Sequence, residues 1–504
     1  MLCLAVVPLL GWWLTGLFDL DEGFYAAVVA EMNRRGEWVT PYYNGQPWFE
    51  KPILLYWLAK PMVAVFGDMV GPRLPSVLSA IGCYLLVAWY ARRRMSEEAA
   101  AWSVAVLGSS IIFVALGRLM MTDMPLVLAF SAAMLAFWES LSGNPRWRLL
   151  TAGLLGVAVL AKGPVALILF ALIAGWTFYR EKELRPRFRG HWLLGTLILA
   201  GVVATWYVPA YLANGDLFVQ KFLIEQNIGR FTGGDKAHTI KAAWAYVLYI
   251  PVILVGMMPW SFWIWSAWRN GRAAVPNAFG DPSSIPNNMG PADLHPQTPS
   301  SKTNHLEEGA FHRYLCAWAM IVFLFFSVSS AKLPHYVLPV FVPLAMLLGS
   351  HFARRWRLES PKSLALPIAW TFAVAILVNG GILWWYQASG QAEAHAFARY
   401  IRDNSLHQVP RTVAAFQMSR REKSLGTGRP KLQETSLPSM LLYLDATVNE
   451  AETAQEVVEG KSHWLFTRKG RITPAVKTEF EGLGAKLNPI GPAGENFELY
   501  EITP

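Results

Sequence analysis

Apolar runs of ~16–24 residues recur along most of this chain, and that is the length a helix needs to cross ~30 Å of hydrocarbon. About eleven can be drawn, over 2–18, 74–91, 98–117, 124–141, 148–162, 164–179, 191–211, 243–265, 313–330, 335–352 and 364–386. In lipid every backbone polar group must be satisfied within the protein, so runs this long specify helices. Charged residues make up only 16% of the 504 residues and hydrophobic ones 54%, whereas a soluble chain carries roughly a quarter charged. The expected fold class is mainly α: a polytopic membrane protein with about eleven transmembrane helices. Met1 to Phe18 lacks a basic leading region and a small-residue cleavage site, so it is read as a first membrane helix rather than a signal peptide.

The net charge of +9 does not indicate a nucleic-acid partner, because the basic residues gather in short loops between apolar runs, where they set topology. Arg92 to Arg94, Arg146, Arg148, Arg180, Lys182, Arg185, Arg187, Arg189, Arg269, Arg272, Arg354, Arg355, Arg357 and Lys362 all fall on one side, which is then cytoplasmic. The opposite side receives the 21–73 loop, Arg118 to Asp123, the Lys162-Gly163-Pro164 corner, the 212–242 loop, the Ser330–Pro334 corner and the C-terminal tail. Cys3, Cys83 and Cys316 lie in or beside apolar runs with no pairing pattern.

The 21–73 loop is expected to be structured. Phe24, Val28 and Met32 recur every four residues after Asp21, and Gly36 stops the pattern, which predicts an amphipathic helix in the interface. A turn follows over Pro41 to Pro47 around Asn44-Gly45, and Ile53 to Phe66 is a second interfacial or re-entrant segment ending at Gly67. The 270–312 segment, rich in Pro, Asn and Ser, is expected to be a disordered cytoplasmic loop. Residues 1–386 form the membrane domain, and 387–504 a small α/β domain outside the membrane. In the latter, strand-like runs at Thr412–Phe416, Met440–Leu444, Trp464–Thr467 and Phe497–Ile502 alternate with helical patterns near 391–403 and 472–484.

Charges at membrane depth need a reason. Asp21-Glu22 at the end of the first run is a stop signal or helix cap, or else a general base or a substrate-orienting carboxylate. Lys51, between Glu50 and Pro52, anchors the interface or binds a phosphate. Asp123 is an N-cap or a site carboxylate, with Arg118 just before it. Lys162 snorkels or pairs with Asp21 or Asp123. Arg230, His238 and Lys241 share the 212–242 loop, and Lys332 with Tyr336 stands at the mouth of the tenth run as anchor or phosphate ligand. Several cations and carboxylates at one lipid interface suit a phosphate-bearing lipid substrate. A lipid-linked-sugar transporter would instead place polar residues at the midplane of repeated halves, and neither is evident.

The ordered run Asp21-Glu22-Gly23-Phe24-Tyr25-Ala26, Gly36-Glu37-Trp38-Val39-Thr40-Pro41, Phe49-Glu50-Lys51-Pro52, Thr122-Asp123-Met124-Pro125, Ala161-Lys162-Gly163-Pro164 and Lys332-Leu333-Pro334-His335-Tyr336 resembles the lipid A aminoarabinose transferases. These belong to a wider protein O-mannosyltransferase-like group of polyprenyl-phosphate-sugar enzymes with the C-type glycosyltransferase fold. The resemblance implies transfer of a sugar from undecaprenyl phosphate to lipid A, lipopolysaccharide or another envelope glycolipid at the periplasmic face of a bacterial inner membrane, or alternatively to a protein. It implies Asp21, Lys162 and Asp123 as catalytic groups, with Lys162 orienting Asp21. Glu22, Lys51, Arg118, Arg230, Lys241, Lys332 and Tyr336 would bind substrate, and Glu50 with His238 would hold a divalent metal ion. Relatives often carry Arg three residues after the first Asp. Here that position is Phe24, which leaves Arg118 as the expected partner of Asp123.

Overall fold

A computed structural model describes residues 1–19, 21–141, 144, 146–184, 190–229, 243–270, 300–355, 361–404, 412–418, 438–444, 447–491 and 494–504. The fold is mainly helical. Among the described residues six helices are long and apolar enough to span a membrane: Leu54–Arg94, Asp123–Leu141, Trp192–Asn214, Glu308–Val328, Pro334–Arg355 and Ala365–Ala388. Two bent pairs, Glu97–Gly108 with Ile111–Gly117 and Trp244–Gly256 with Trp260–Arg269, raise the number to eight if each pair is one span. Packing divides these helices: in the apolar 18-residue stretch of Asp123–Leu141 and of Pro334–Arg355, 89% of residues are buried, against 17% for Trp192–Asn214 and 22% for Ala365–Ala388, which turn Leu197, Leu212, Ile376 and Trp384 outward. Peripheral helices with apolar outer faces are what a bilayer solvent requires.

We label the first ten helices α1 (Leu2–Val6), α2 (Asp21–Arg34), α3 (Leu54–Val70), α4 (Leu74–Arg94), α5 (Glu97–Gly108), α6 (Ile111–Gly117), α7 (Asp123–Leu141), α8 (Arg146–Lys162), α9 (Val165–Arg180) and α10 (Trp192–Asn214). Later helices are given by residue range. The expected stop at Gly67 is a left-handed kink inside α3, with φ 73°. The Asn44-Gly45 turn joins β1 (Tyr42–Tyr43) to β2 (Gln46–Pro47), and both turn residues have positive φ, 48° and 86°, as a two-residue hairpin turn demands.

α2 is not an amphipathic helix with one face open to lipid. Its residues from Tyr25 to Met32 are all buried, because the residues between the four-residue repeat are the small Ala26, Ala27, Val29 and Ala30, which pack as well as the repeat itself. The helix Ser300–Val328 begins inside the segment expected to be disordered, and 271–299 lie outside the described residues.

At the C-terminal end, five strands pair in the order β4-β3-β5-β7-β6. β3 (Thr412–Phe416) runs parallel to β4 (Thr447–Ala451) and β5 (Trp464–Arg468), while β7 (Phe497–Thr503) is antiparallel to β5 and to β6 (Lys486–Pro489). Met440–Leu444, expected as a strand, is instead the short helix Ser439–Tyr443. That helix packs on α2, and one apolar cluster joins Val28, Val29 and Met32 of α2 to Phe397, Met440, Leu441 and Phe466. Asn44 at the hairpin tip donates to Val448 O at 2.7 Å and accepts from Val448 N at 3.1 Å, so its amide continues the free edge of β4.

Candidate active site

The segment before α2 is clamped before Asp21 emerges from it. Glu22 is 2% exposed, and its carboxylate accepts from Arg73 Nε and Nη2 at 2.7 Å each, from Met120 N at 2.8 Å and from Phe18 N at 2.9 Å. Arg73 also donates to the carbonyls of Trp12, Thr15 and Gly16. A carboxylate whose lone pairs are filled by four donors has no capacity left for a substrate. Glu22 is therefore a structural anchor, not a substrate ligand, and its neighbour Asp21, partly exposed, is the acid presented outward.

Asp123 opens α7, where the helix dipole favours a negative charge. Lys162, at the end of α8, hydrogen-bonds its Oδ1, and His335 Nε2 lies 3.9 Å from its Oδ2. The Lys162 ammonium also stands 4.5 Å from the Tyr336 ring. Lys162 thus orients Asp123, not Asp21. Arg118 is not the partner of Asp123 either: its Nη2 donates to Asn379 Oδ1 at 2.8 Å. Phe24 stacks on Trp48 (5.8 Å, interplanar 1°) and leans on Tyr43 (5.1 Å), away from any role as an ion-pair partner. Among the described residues the positive charge beside Asp123 is thus supplied by Lys162.

Asp21 joins this cluster through its field. It acts electrostatically on His335 and, together with Glu50, on Tyr56, while Lys51 acts on Asp123 and His335. Lys51 Nζ lies 5.9 Å from the Tyr25 ring. A cavity of about 350 Å³ opens beside these groups, with Glu50, Lys51, Lys162, Gln226 and Tyr336 among the polar residues of its wall and Val165, Ile168, Phe222, Phe325 and Phe326 among the apolar ones. Cations at one part of a largely apolar cavity match a phosphate carried on a hydrocarbon chain.

Lys332 does not reach the cavity. It is 5% exposed and donates to the carbonyls of Phe326 at 2.8 Å and Ser327 at 2.5 Å, closing the C-terminal end of Ser300–Val328. It is a helix cap rather than a substrate ligand. Arg230, His238 and Lys241 lie outside the described residues. Among the described residues no group of three or more His, Cys, Asp and Glu could hold a metal ion, and His238, the expected companion of Glu50, lies outside them. His335 and Gln226, the latter in the cavity wall, are absent from the expected site. His335 stands inside one of the quoted motifs, while Gln226 carries no signal in the sequence.

A second polar cluster lies where the C-terminal part meets the segment before α2. Asp19 Oδ1 accepts from Ser439 N at 2.7 Å, Ser439 Oγ is 2.9 Å from His395 Nε2, and His395 Nδ1 is 2.8 Å from the Tyr386 hydroxyl. Burial lifts the Asp19 carboxyl to about 7, against the hydrogen bonds from Ser439 that favour its charge, with Glu22 adding to the rise. Burial drives the His395 imidazole down to about 3, with Arg399 and Arg73 in the same sense, so it is neutral. Because the folded Asp19 holds its proton more tightly than an unfolded Asp at ~3.9, its contribution is full below about pH 4 and lost as pH climbs through about 7. Between about pH 5 and about pH 8 the melting temperature should fall more in the wild type than in Asp19→Asn. Parallel curves in circular dichroism melts would contradict this.

Residues 50–207 match the family described as dolichyl-phosphate-mannose-protein mannosyltransferase. The chain is 28% identical over 360 residues to the undecaprenyl phosphate-alpha-4-amino-4-deoxy-L-arabinose arabinosyl transferase of Edwardsiella ictaluri, covering 69% of this chain and 57% of that protein. It is 30% identical over 348 residues to arabinosyl transferase 2 of Pseudomonas fluorescens, covering 66% of this chain and 52% of that protein. The chain therefore spans little more than half the length of these curated relatives. Its structure superposes on the crystal structure of ArnT from Cupriavidus metallidurans bound to undecaprenyl phosphate with a TM-score of 0.72 at 18% identity, over 99% of this chain and 97% of that one. In fold this chain is thus similar to the Cupriavidus metallidurans protein, and in sequence it is similar to the aminoarabinose transferases over about two thirds of its own length.

Proposed function

We propose that this chain transfers a sugar from a polyprenyl phosphate, undecaprenyl phosphate by analogy with its relatives, to lipid A, lipopolysaccharide or another envelope glycolipid. The observation that carries the reading is the joint placement of Lys51, Lys162 and Tyr336 in the wall of an apolar cavity, beside the Asp123–Lys162–His335 cluster and Asp21. In this mechanism the acceptor oxygen attacks the anomeric carbon. The bond from that carbon to the carrier phosphate oxygen breaks, and the electron pair leaves with the phosphate. Lys51 and Lys162 stabilise the charge gathering there. Asp21 takes the proton of a hydroxyl acceptor, or positions an acceptor that is already an anion.

The reading places the reaction at the periplasmic face of an inner membrane. It counts eleven crossings: the six long helices, the two bent pairs, the shorter α8 and α9, and the N-terminal run, which is helical over Leu2–Val6; 16 residues, as in α9, rise ~24 Å, close to a thin hydrocarbon core. Residues 387–504 act as an α/β domain over the site, supported by the packing of Ser439–Tyr443 on α2.

Transfer from a radiolabelled polyprenyl-phosphate sugar tests the reading. Asp21→Asn should lower turnover by ~10²–10⁴, and Lys51→Ala should raise the carrier KM about 10- to 100-fold. Wild-type turnover in the first, or an unchanged KM in the second, would remove the assigned role. Label recovered in protein instead of lipid would redirect the acceptor to a polypeptide.

A further inference from the structure

Away from the carrier cavity, a buried cation stands without a counter-charge among the described residues. Arg118 follows α6 and is 3% exposed. Its Nη2 is bonded to Asn379, while Nε and Nη1 are buried and, among the described residues, have no hydrogen-bond partner. Its expected counter-charge, Asp123, is occupied by Lys162 and His335. The charged group that acts on it is another cation, Arg73, already saturated by Glu22. Burial first, and Arg73 second, pull the guanidinium down to about 10, which leaves it charged at neutral pH. An unmatched charge at this depth is expensive, and such residues mark binding sites more often than structural ones.

The surroundings identify the phase from which a counter-ion comes. Asn379 belongs to the helix Pro361–Ala388, whose Phe372, Ile376 and Leu383 are exposed. Gly11 lies against both polar groups: with φ +85°, it leaves open a place where a Cβ would meet Asn379 Oδ1 at 2.6 Å and Arg118 Nη2 at 3.4 Å. The adjacent Trp13 and Leu14 are exposed apolar side chains. The site therefore borders lipid. Unfilled donors on both edges of a guanidinium call for a partner with several acceptor oxygens, as a phosphate has.

We propose that Arg118, with Asn379, binds the phosphate of a second amphiphile from the outer leaflet, at the opposite end of the 118–123 segment from Asp123. The anion site stands on these contacts alone. Naming its occupant as the sugar acceptor rests on the transferase reading, and would place carrier and acceptor phosphates at the two ends of one short segment.

The full-length chain, reconstituted in phosphatidylcholine bilayers doped with lipid A or with phosphatidylglycerol, is examined by native mass spectrometry. The wild type should retain a doped lipid. Preference for lipid A marks the acceptor, and equal retention marks a site for lipid phosphates in general; either supports the anion site. Arg118→Gln should weaken retention at least about tenfold. Asn379→Asp supplies a carboxylate in place, so it should lose retention equally while keeping or raising the melting temperature, which separates loss of the site from loss of the fold. Wild-type retention in both variants overturns the proposal. Asp21→Asn should keep retention while losing transfer; if it keeps transfer, the transferase reading fails and the anion site stands.

Discussion

Lys162→Met is expected to lower transfer by roughly 10²-fold or more, and to destabilise the chain as well. Asp123 is 2% exposed; among the described residues Lys162 is the cation paired with it, and the His335 ring lies 3.9 Å away. Breaking a buried pair by removing one member leaves the other charge uncompensated, at about 3–5 kcal/mol. The same ammonium lies in the cavity wall, where the reading above places the leaving phosphate. These two contributions separate in the double variant Asp123→Asn/Lys162→Met. Removing both charges should restore most of the melting temperature while transfer stays low. If the double variant turned over like the wild type, Lys162 would be structural only.

Arg73→Met should have the largest effect on stability, because it strikes a junction rather than a pair. Arg73 is 1% exposed and bridges Glu22 to the carbonyls of Trp12, Thr15 and Gly16, so its loss strands a buried carboxylate and three acceptors together. About 3–5 kcal/mol is expected from the ion pair alone, a large share of the ~5–15 kcal/mol by which domains are stable. Arg73→Lys should rescue little, because an ammonium cannot reproduce the paired Nε and Nη2 bonds to Glu22. Thermal unfolding in detergent reads this directly; a variant melting within a few degrees of the wild type would show that the clamp is dispensable.

The sequence carried much of this arrangement where the signal is local. Asn44-Gly45 between aromatic residues specifies its hairpin, Gly67 specifies its kink, and the β3 run matches Thr412–Phe416 residue for residue. What it concealed depends on partners far along the chain. Glu22 and Asp21 are chemically alike and adjacent, and only Arg73, 51 residues on, tells the anchor from the exposed acid. Lys332 resembles a phosphate ligand until the end of its helix at Val328 is known. Asp21 and Asp123 were equally good partners for Lys162 by charge, and the α7–α8 packing that decides between them has no signature in either segment. Met440–Leu444 is an apolar run too short for its period to tell helix from strand.

The clamp between the hairpin, α2 and the helix Ser439–Tyr443 also sets an order of events in biosynthesis. Asp19 meets Ser439 across 420 positions of chain, and Asn44 meets Val448 across 404. At ~5–20 residues per second, that separation is roughly 20–80 s of synthesis. During this interval α2 has been made but is not yet enclosed by the residues that later pack on it, so the acid at its start stands without its final surroundings. A part of the chain made late thus completes a part made early, and a product that stops before Ser439 carries the Asp21, Lys51, Asp123 and Lys162 motifs without the contacts that enclose α2.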